Sequence, residues 1–443
     1  MTILKTPATW PSILLAPPAA DEAYAGLKRA RRLGPTGTIA EIAESGLRGR
    51  GGSGYSTAAK WRAAANAGRA EGIATRYVVI NGYGADPSSL TDRTLLEANP
   101  AGVIEGAAIA AWAIGAEEAI IVVRAGEAAA IAALQGAIDT ARAGGAIGEN
   151  AGGSGGRLEI EVRSVQGAYM LGEETVLIKA LEGKRGQPEQ RPPHPTEDGL
   201  WGAPTVVQNP QTAAAAAWIL RHSADDFRKL GTAKEPGTIL VDVRGPGGAG
   251  VAEVPFGVTL GAIAKLVGGA SAGHEVKAYL VGGPSGGLLP AALASTLYTF
   301  EDLRAAGAHV GSGSVLVADE RTCIVDLARV LTRFCADEAC GKTIPCRIGT
   351  RRMAEIGERL AGGTSRAGDL DLLVTLAEDI VGSALCDHER LATLPLMSGL
   401  RYFRPELDAH LERGECPAGV CRPIALGRSA TAASSTSTAT SPA

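Results

Sequence analysis

The sequence predicts an α/β protein: a layered Rossmann-like α/β unit first, a smaller α+β unit next and a helical bundle last. Three observations carry that expectation. Apolar runs of strand length alternate with alanine-rich helical stretches over the first half of the chain. Strand, strand, helix and strand patterns then crowd together between positions 238 and 281. From Ile324 onward the periodicity is helical.

In chain order, a proline-rich start leads into helical stretches at Ala23–Leu33 and Ile39–Ser45. Tyr77–Ile80 and Ala119–Val123 are apolar enough for buried parallel strands, with Ala107–Ile114 and Ala128–Arg142 as helices against them. A glycine-rich break, Gly144–Gly156, precedes a strand at Leu158–Val162. In the second unit Thr238–Val243, Val251–Pro255 and Lys277–Val281 read as strands, and Leu260–Leu266 as a short helix. Helices follow at Ile324–Ala336, Thr350–Ala361 and Leu370–Leu385. Arg428–Ala443 is nearly all Ser, Thr, Ala and Pro, a composition expected to stay disordered. The expected units are 1–230, 231–312 and 313–426, with a tail at 427–443.

Composition removes several function classes. A net charge of −4 and 4% aromatic residues leave neither an electrostatic footprint nor stacking surfaces for nucleic acid. No apolar run is long enough to span a membrane. Lys5 is not followed by a long apolar region and cleavage site, so a cytoplasmic location is expected. There are 7 cysteines, four of them between Cys323 and Cys346, which favours metal or redox chemistry over a disulfide framework. None of the 6 histidines lies in a nucleophile or zinc-protease motif, so a hydrolase has no support and no side chain is nominated as catalytic.

The stretch Gly46-Leu-Arg-Gly-Arg-Gly-Gly-Ser-Gly54 interleaves glycines with Arg48 and Arg50. Without Cβ atoms, its backbone N–H groups can approach a phosphate closely. Gly49, Gly51 and Gly54 match dinucleotide-binding spacing, but a helix rather than a strand precedes them, so that fingerprint fails its context test. A phosphate cradle and a plain flexible loop both remain open on these residues. The continuation Tyr55-Ser-Thr-Ala-Ala-Lys60-Trp61 resembles the NADH-binding flavoprotein (51 kDa-type) subunit of respiratory complex I. Its relatives in NAD-linked hydrogenases and formate dehydrogenases share the stretch. Gly167-Ala-Tyr-Met-Leu-Gly-Glu-Glu-Thr-Val-Leu-Ile178, Val281–Gly287 and Gly311–Gly313 extend the resemblance in order, over roughly residues 40–425.

The resemblance implies an FMN- and NADH-binding first unit, a ubiquitin-like (β-grasp) middle unit and an iron–sulfur-binding helical unit. By family position, Gly49, Gly51, Gly52, Gly54, Tyr55, Lys60, Asn81, Asp86, Tyr169, Gly172, Glu173, Glu174, Asn209 and Thr212 would hold FMN and NAD(H). Tyr55 replaces a family Phe and keeps a ring that can stack on a base. Glu173-Glu174-Thr175 reads either as an ordinary capped helix start or as carboxylates that accept ribose hydroxyls. A carboxylate there would repel a 2′-phosphate and favour NADH over NADPH.

Two departures stand out. After Asn81 the family has an Asp and a Glu where this chain has Tyr83 and Gly84, leaving either a stacking role for Tyr83 or weaker dinucleotide binding. In the cluster motif, Cys340, Cys346 and Cys386 occupy ligand positions of a 4Fe-4S cluster, but Thr343 stands where the second cysteine belongs. Cys335, Asp337 or water would then complete the cluster, or a three-iron form would result, or no cluster binds. Cys323 reads as a buried small hydrophobe. His410, Cys416 and Cys421 offer three zinc ligands with His388 as a fourth, or else a pair of solvent-near thiols.

The implied function is an electron-input subunit that passes electrons from NADH through FMN to an iron–sulfur centre. Its partner would be a thioredoxin-like 2Fe-2S subunit or a ferredoxin within a larger redox complex. The alternative is a retuned or non-catalytic paralogue that keeps flavin and a redox partner without efficient NADH oxidation.

Overall fold

The computed structural model describes residues 2–19, 22–67, 75–151 and 156–421. The expected tail at 427–443 lies outside the described residues.

The first unit is built on five strands: β1 (Tyr77–Gly82), β2 (Glu118–Arg124), β3 (Gly148–Ala151), β4 (Gly156–Val165) and β5 (Thr205–Gln208). They lie in the order β3-β4-β2-β1-β5, parallel except for β3. The strands at the centre are uniformly apolar because both faces are covered, as a parallel sheet requires. On one face, the helix Pro100–Ile114 is buried almost all round between Ala25–Ser45 and Pro210–Arg221. Gly106 permits that approach: a Cβ there would stand 1.9 Å from the Ala213 carbonyl oxygen. The two helices expected at 23–33 and 39–45 form one run with a break at Gly34, whose φ is 73°.

The second sheet holds β6 (Thr238–Gly245), β7 (Gly248–Pro255), β8 (Val276–Val281), β9 (Gly287–Pro290) and β10 (Ser314–Asp319) in the order β7-β6-β10-β8-β9. β10 lies parallel to β6 and antiparallel to β8, the mixed sheet of a β-grasp. It is the central strand, so the boundary expected at 312/313 falls too early: the second sheet runs to Asp319.

The N-terminal segment also belongs to this sheet. Ile3 bridges Val251 on edge strand β7. The backbone N–H groups of Ile13, Leu14 and Leu15 then donate to the buried Glu253 carboxylate at 2.7, 2.9 and 3.1 Å. The Ser12 and Thr238 hydroxyls complete that set.

The third unit packs the helices Ile324–Glu338, Thr350–Gly362, Asp369–Gly382, Leu394–Tyr402 and Arg404–Arg413 around a core containing Leu360, Leu373 and Leu396. The helix expected to reach Leu385 stops at Gly382, which leaves Cys386 in the following loop.

Candidate functional site

The chain winds outward from β1 through β2 to β4, then returns to β5 on the other side of β1. That reversal makes a crevice beyond the carboxyl ends of β1 and β5, the usual ligand position in an open parallel sheet. Asn81 is the penultimate residue of β1, Gln208 closes β5 and Asn209 follows it. The Asn81 amide donates to the Gly172 carbonyl at 3.2 Å, and Asn209 caps the helix Pro210–Arg221 by accepting from Gln211 N at 2.8 Å. Two bonds of 3.0 and 2.9 Å tie the Asn209 amide to Asp92, whose carboxyl burial pushes up to about 6.

The glycine loop covers this crevice. A Cβ on Gly51 would meet the Asn209 Cβ at 3.6 Å, an ordinary contact. Gly52 differs: its φ is +110°, and a Cβ would stand 3.1 Å from the Gly311 carbonyl oxygen. The loop therefore rests on the Gly311–Gly313 turn of the second unit. Gly49 N donates to the Tyr55 carbonyl at 2.8 Å, closing the loop on itself and leaving Tyr55 57% exposed.

The loop's two arginines are structural. Arg48 pairs with Glu301 at 2.7 Å and donates to the Gly54 carbonyl. Arg50 is buried, donating to the Pro236 and Thr238 carbonyls with its guanidinium over Phe256. Thr212 accepts from Arg50 N at 2.9 Å, so its hydroxyl anchors the loop.

Lys60 projects from the helix Thr57–Asn66 into the same crevice, donating to Glu174 at 2.8 Å and to the Val207 carbonyl at 3.0 Å. Burial pushes the Glu174 carboxyl up, but Lys60 and then Arg191 outweigh it and hold the group below its ordinary value. Glu173 caps its helix, accepting from Thr175 N and Val176 N at 2.8 and 2.9 Å, and pairs with Arg191. Glu173 is thus the cap of the first reading, and Glu174 is paired with Lys60 and Arg191.

Tyr83 does not offer a stacking face. Its ring is 1% exposed, in the cluster with Met170 and Leu171, and Arg124 covers it at 4.8 Å while donating to the Gly84 carbonyl. Asp86 is spent within the protein, accepting from Ser88 N at 2.7 Å and from the Ser312 hydroxyl. Tyr169 ties the units together: its hydroxyl meets Ser285 at 3.2 Å, its N–H donates to Glu338, and its ring packs edge-on against Phe334 and His388.

One site residue escaped the sequence reading. Gln208 accepts from Trp61 Nε1 at 3.0 Å, while its own Nε2 is buried with no hydrogen-bond partner among the described residues. That orphaned donor, the glycine loop and the lysine fit a ligand carrying both a phosphate and a polar ring, as FMN does.

Cys340, Cys346 and Cys386 come together at the edge of the first and third units. Burial, then Glu389, Cys386 and Cys340 beside it, pushes the Cys346 thiol up to about 12. Thr343 donates to the buried Glu389 carboxylate at 2.6 Å. The donor set fits three thiolate corners of an iron–sulfur cluster, with an oxygen pair near the fourth. Two alternatives offered for that corner are otherwise occupied: the Cys335 thiol points to the Pro284 carbonyl, and Asp337 forms an exposed pair with Arg333.

His388 is likewise removed from the C-terminal thiols. It is buried against Tyr169, with Nε2 at 3.0 Å from the Cys335 carbonyl. Cys323 is the residue that joins His410, Cys416 and Cys421, and it is therefore more than a small hydrophobe.

The Nuo51 FMN-binding domain model matches residues 42–218, and the NADH-ubiquinone oxidoreductase-F iron-sulfur binding region matches 326–410. The chain is 40% identical over 400 residues to NADP-reducing hydrogenase subunit HndC of Solidesulfovibrio fructosivorans, covering 90% of this chain and 81% of that protein. It is 38% identical over 395 residues to the NADH-quinone oxidoreductase F subunit of Mycobacterium tuberculosis (strain ATCC 25618 / H37Rv), covering 89% of each. A solved NAD+-reducing NiFe-hydrogenase in the H2-reduced state superposes with a TM-score of 0.81 at 33% identity, over 95% of this chain and 69% of that one. The air-oxidized state gives 0.78 at 33%, over 88% and 65%, so the chain spans about two thirds of those hydrogenase chains. With 38–40% identity to these relatives over about nine tenths of its length and the same fold, this chain belongs to the 51K flavoprotein family that includes the F subunits of NADH-quinone oxidoreductases.

Proposed function

We propose that this chain is an electron-input flavoprotein, an NADH:acceptor oxidoreductase subunit that binds FMN and NAD(H) in the β1/β5 crevice. The observation that carries the reading is the convergence there of the glycine loop, Lys60 and the orphaned Gln208 amide. FMN supplies the exchange between two-electron hydride chemistry and single electrons. The protein's part is placement. Loop N–H groups and Lys60 would hold a phosphate, the Gln208 amide would meet a ring edge with Asn81 and Asn209 fixing the strand ends around it, and Glu174 would set the charge that faces a ribose. Arg50 and Thr212 keep the loop rigid.

The three thiols at Cys340, Cys346 and Cys386 would hold a 4Fe-4S cluster. A larger redox assembly follows from relatives named as complex and hydrogenase subunits. Within it, a thioredoxin-like 2Fe-2S subunit or a ferredoxin is the partner class this reading favours. Ile344 and Ile348 support docking beside the thiols: they flank Cys346 and are 63% and 49% exposed.

The test is anaerobic NADH addition to FMN-loaded protein, following the flavin absorption band. Rapid bleaching supports the reading. FMN that binds but stays oxidised favours the retuned paralogue, for which Tyr83 and Gly84 in place of two family acids, with Arg124 over the buried Tyr83 ring, are the motivating feature. Failure to bind FMN at all overturns the site.

A further inference from the structure

Cys323 precedes His410 by 87 positions, with Cys416 and Cys421 close behind the histidine, and the ligand atoms of all four fall within 4.8 Å of one another. Cys323 is the N-cap of the helix Ile324–Glu338, His410 lies in the last turn of Arg404–Arg413, and the other two cysteines follow it. Cys323 Sγ stands 3.5 Å from His410 Nε2 and 3.6 Å from Cys421 Sγ. A tetrahedral zinc ion with ordinary bond lengths sets ligand edges of about 3.5 Å for S···N and about 3.8 Å for S···S. The spacing is far from a disulfide, and all the cysteines here are free thiols. It is also too compact for a cubane cluster, whose iron and sulfide atoms must fit between the thiolates.

The surroundings are those of a ligated site. His410 Nδ1 lies 2.8 Å from the Glu406 carbonyl, which fixes its proton there and turns the Nε2 lone pair toward the sulfurs. Backbone N–H groups point at sulfur: Val420 and Cys421 to Cys416 at 3.3 and 3.4 Å, and Asp326 to Cys323 at 3.4 Å. Such donors stabilise thiolate charge. Three of the four residues are buried. From these contacts we infer that Cys323, His410, Cys416 and Cys421 bind one structural zinc ion, separate from the FMN crevice and from the Cys340–Cys346–Cys386 thiols. Four protein donors leave no open position, so the ion is structural rather than catalytic. Its work is to pin the segment around Cys416–Cys421 to the start of the helix Ile324–Glu338, just after the end of β10.

The full chain purified without chelator should carry about one zinc per molecule, measured by plasma emission. The pair C416S/C421S should lose nearly all of it while iron content stays at the wild-type level. Zinc-edge X-ray absorption of the wild type should show a shell of three sulfurs and one nitrogen, and cobalt substitution should give the intense red-region bands of a tetrahedral thiolate site. That absorption measurement decides the matter even if the variant fails to fold. The assignment is overturned by wild-type protein without zinc, by iron in that sulfur and nitrogen shell, by a Cys323–Cys421 disulfide in the native protein, or by full zinc occupancy in a folded C416S/C421S.

Discussion

Adjacent glycines in the loop should fail in opposite ways. At Gly52, alanine must hold a backbone with φ of +110° and place a methyl 3.1 Å from the Gly311 carbonyl oxygen, which belongs to a backbone that cannot swing aside. The conformation costs about 1–3 kcal/mol, and the crowding adds roughly 1 kcal/mol or more. Gly52→Ala should therefore destabilise the ligand-free protein by about 2–4 kcal/mol. At Gly51 the methyl would meet only Asn209 Cβ at 3.6 Å, with an ordinary φ, so the ligand-free fold should be unaffected to within about 0.5 kcal/mol. That methyl instead occupies the space a phosphate needs. Loss of one charge-assisted bond, about 1.5–3 kcal/mol, corresponds to roughly 10- to 150-fold weaker FMN binding. Gly145→Ala is the control, because its φ of +68° adds strain while nothing lies within 4 Å. Thermal unfolding of the apoprotein and FMN fluorescence quenching read the two effects separately. If Gly51→Ala bound FMN like the wild type, or Gly52→Ala melted with it, the crevice assignment would be refuted.

Lys60→Met removes the bonds to Glu174 and Val207. It should weaken FMN binding about 10- to 100-fold, and NMR titration should find the Glu174 pKa raised, an unchanged value counting against the pair. Burial, and then its hydrogen bond to Glu301, pushes the Glu235 carboxyl up to about 7. Because that folded value lies above the unfolded one, its contribution is complete below about pH 4.5 and is lost as pH rises toward 7. Glu235→Gln should flatten stability across that window, and a urea midpoint profile parallel to the wild type would contradict it. Thr343→Cys restores a thiol beside Glu389 and should raise the iron retained through anaerobic gel filtration several-fold. Equal iron in the two proteins would show that the fourth corner is already well served. Glu253→Ala strips the acceptor from Ile13, Leu14 and Leu15 and should cost about 3–5 kcal/mol, which a difference below 1 kcal/mol in chemical denaturation would disprove.

Most of the architecture could be read from local pattern, because β1, β2, β6 and β8 are largely apolar runs and β4 alternates apolar and charged residues, patterns that need no partner to be recognised. β5 and β10 were different. Thr205–Gln208 is short and sits among polar loops, and Ser314–Asp319 becomes a central strand only once β6 and β8 flank it. Missing β5 hides the reversal of strand order, and with it the reason why Gln208 matters. The motif residues were legible because their spacing is local. Their division of labour was not: whether a carboxylate meets a ligand, as Glu174 can, or a neighbouring hydroxyl, as Asp86 does, depends on contacts across 226 residues of sequence. Cys323 and His410 are separated by 87 positions and carry no shared motif, so only the fold joins them.

The grip of Glu253 on the N-terminal segment has a consequence for biosynthesis. Residues 12–15 leave the ribosome well before Glu253, whose codon is translated about 240 positions later. At about 5–20 residues per second, that interval is roughly 10–50 s. During it, four donors on an apolar stretch are without their carboxylate, while the first sheet has everything it needs to assemble. Asn99 can hold the Leu14 and Ala16 carbonyls long before that, but the full set of bonds to this segment closes only once β7 is in place. A nascent chain stalled before Glu253 would present Ile13-Leu14-Leu15 as a ready binding stretch for a chaperone, whereas a completed one would hide it.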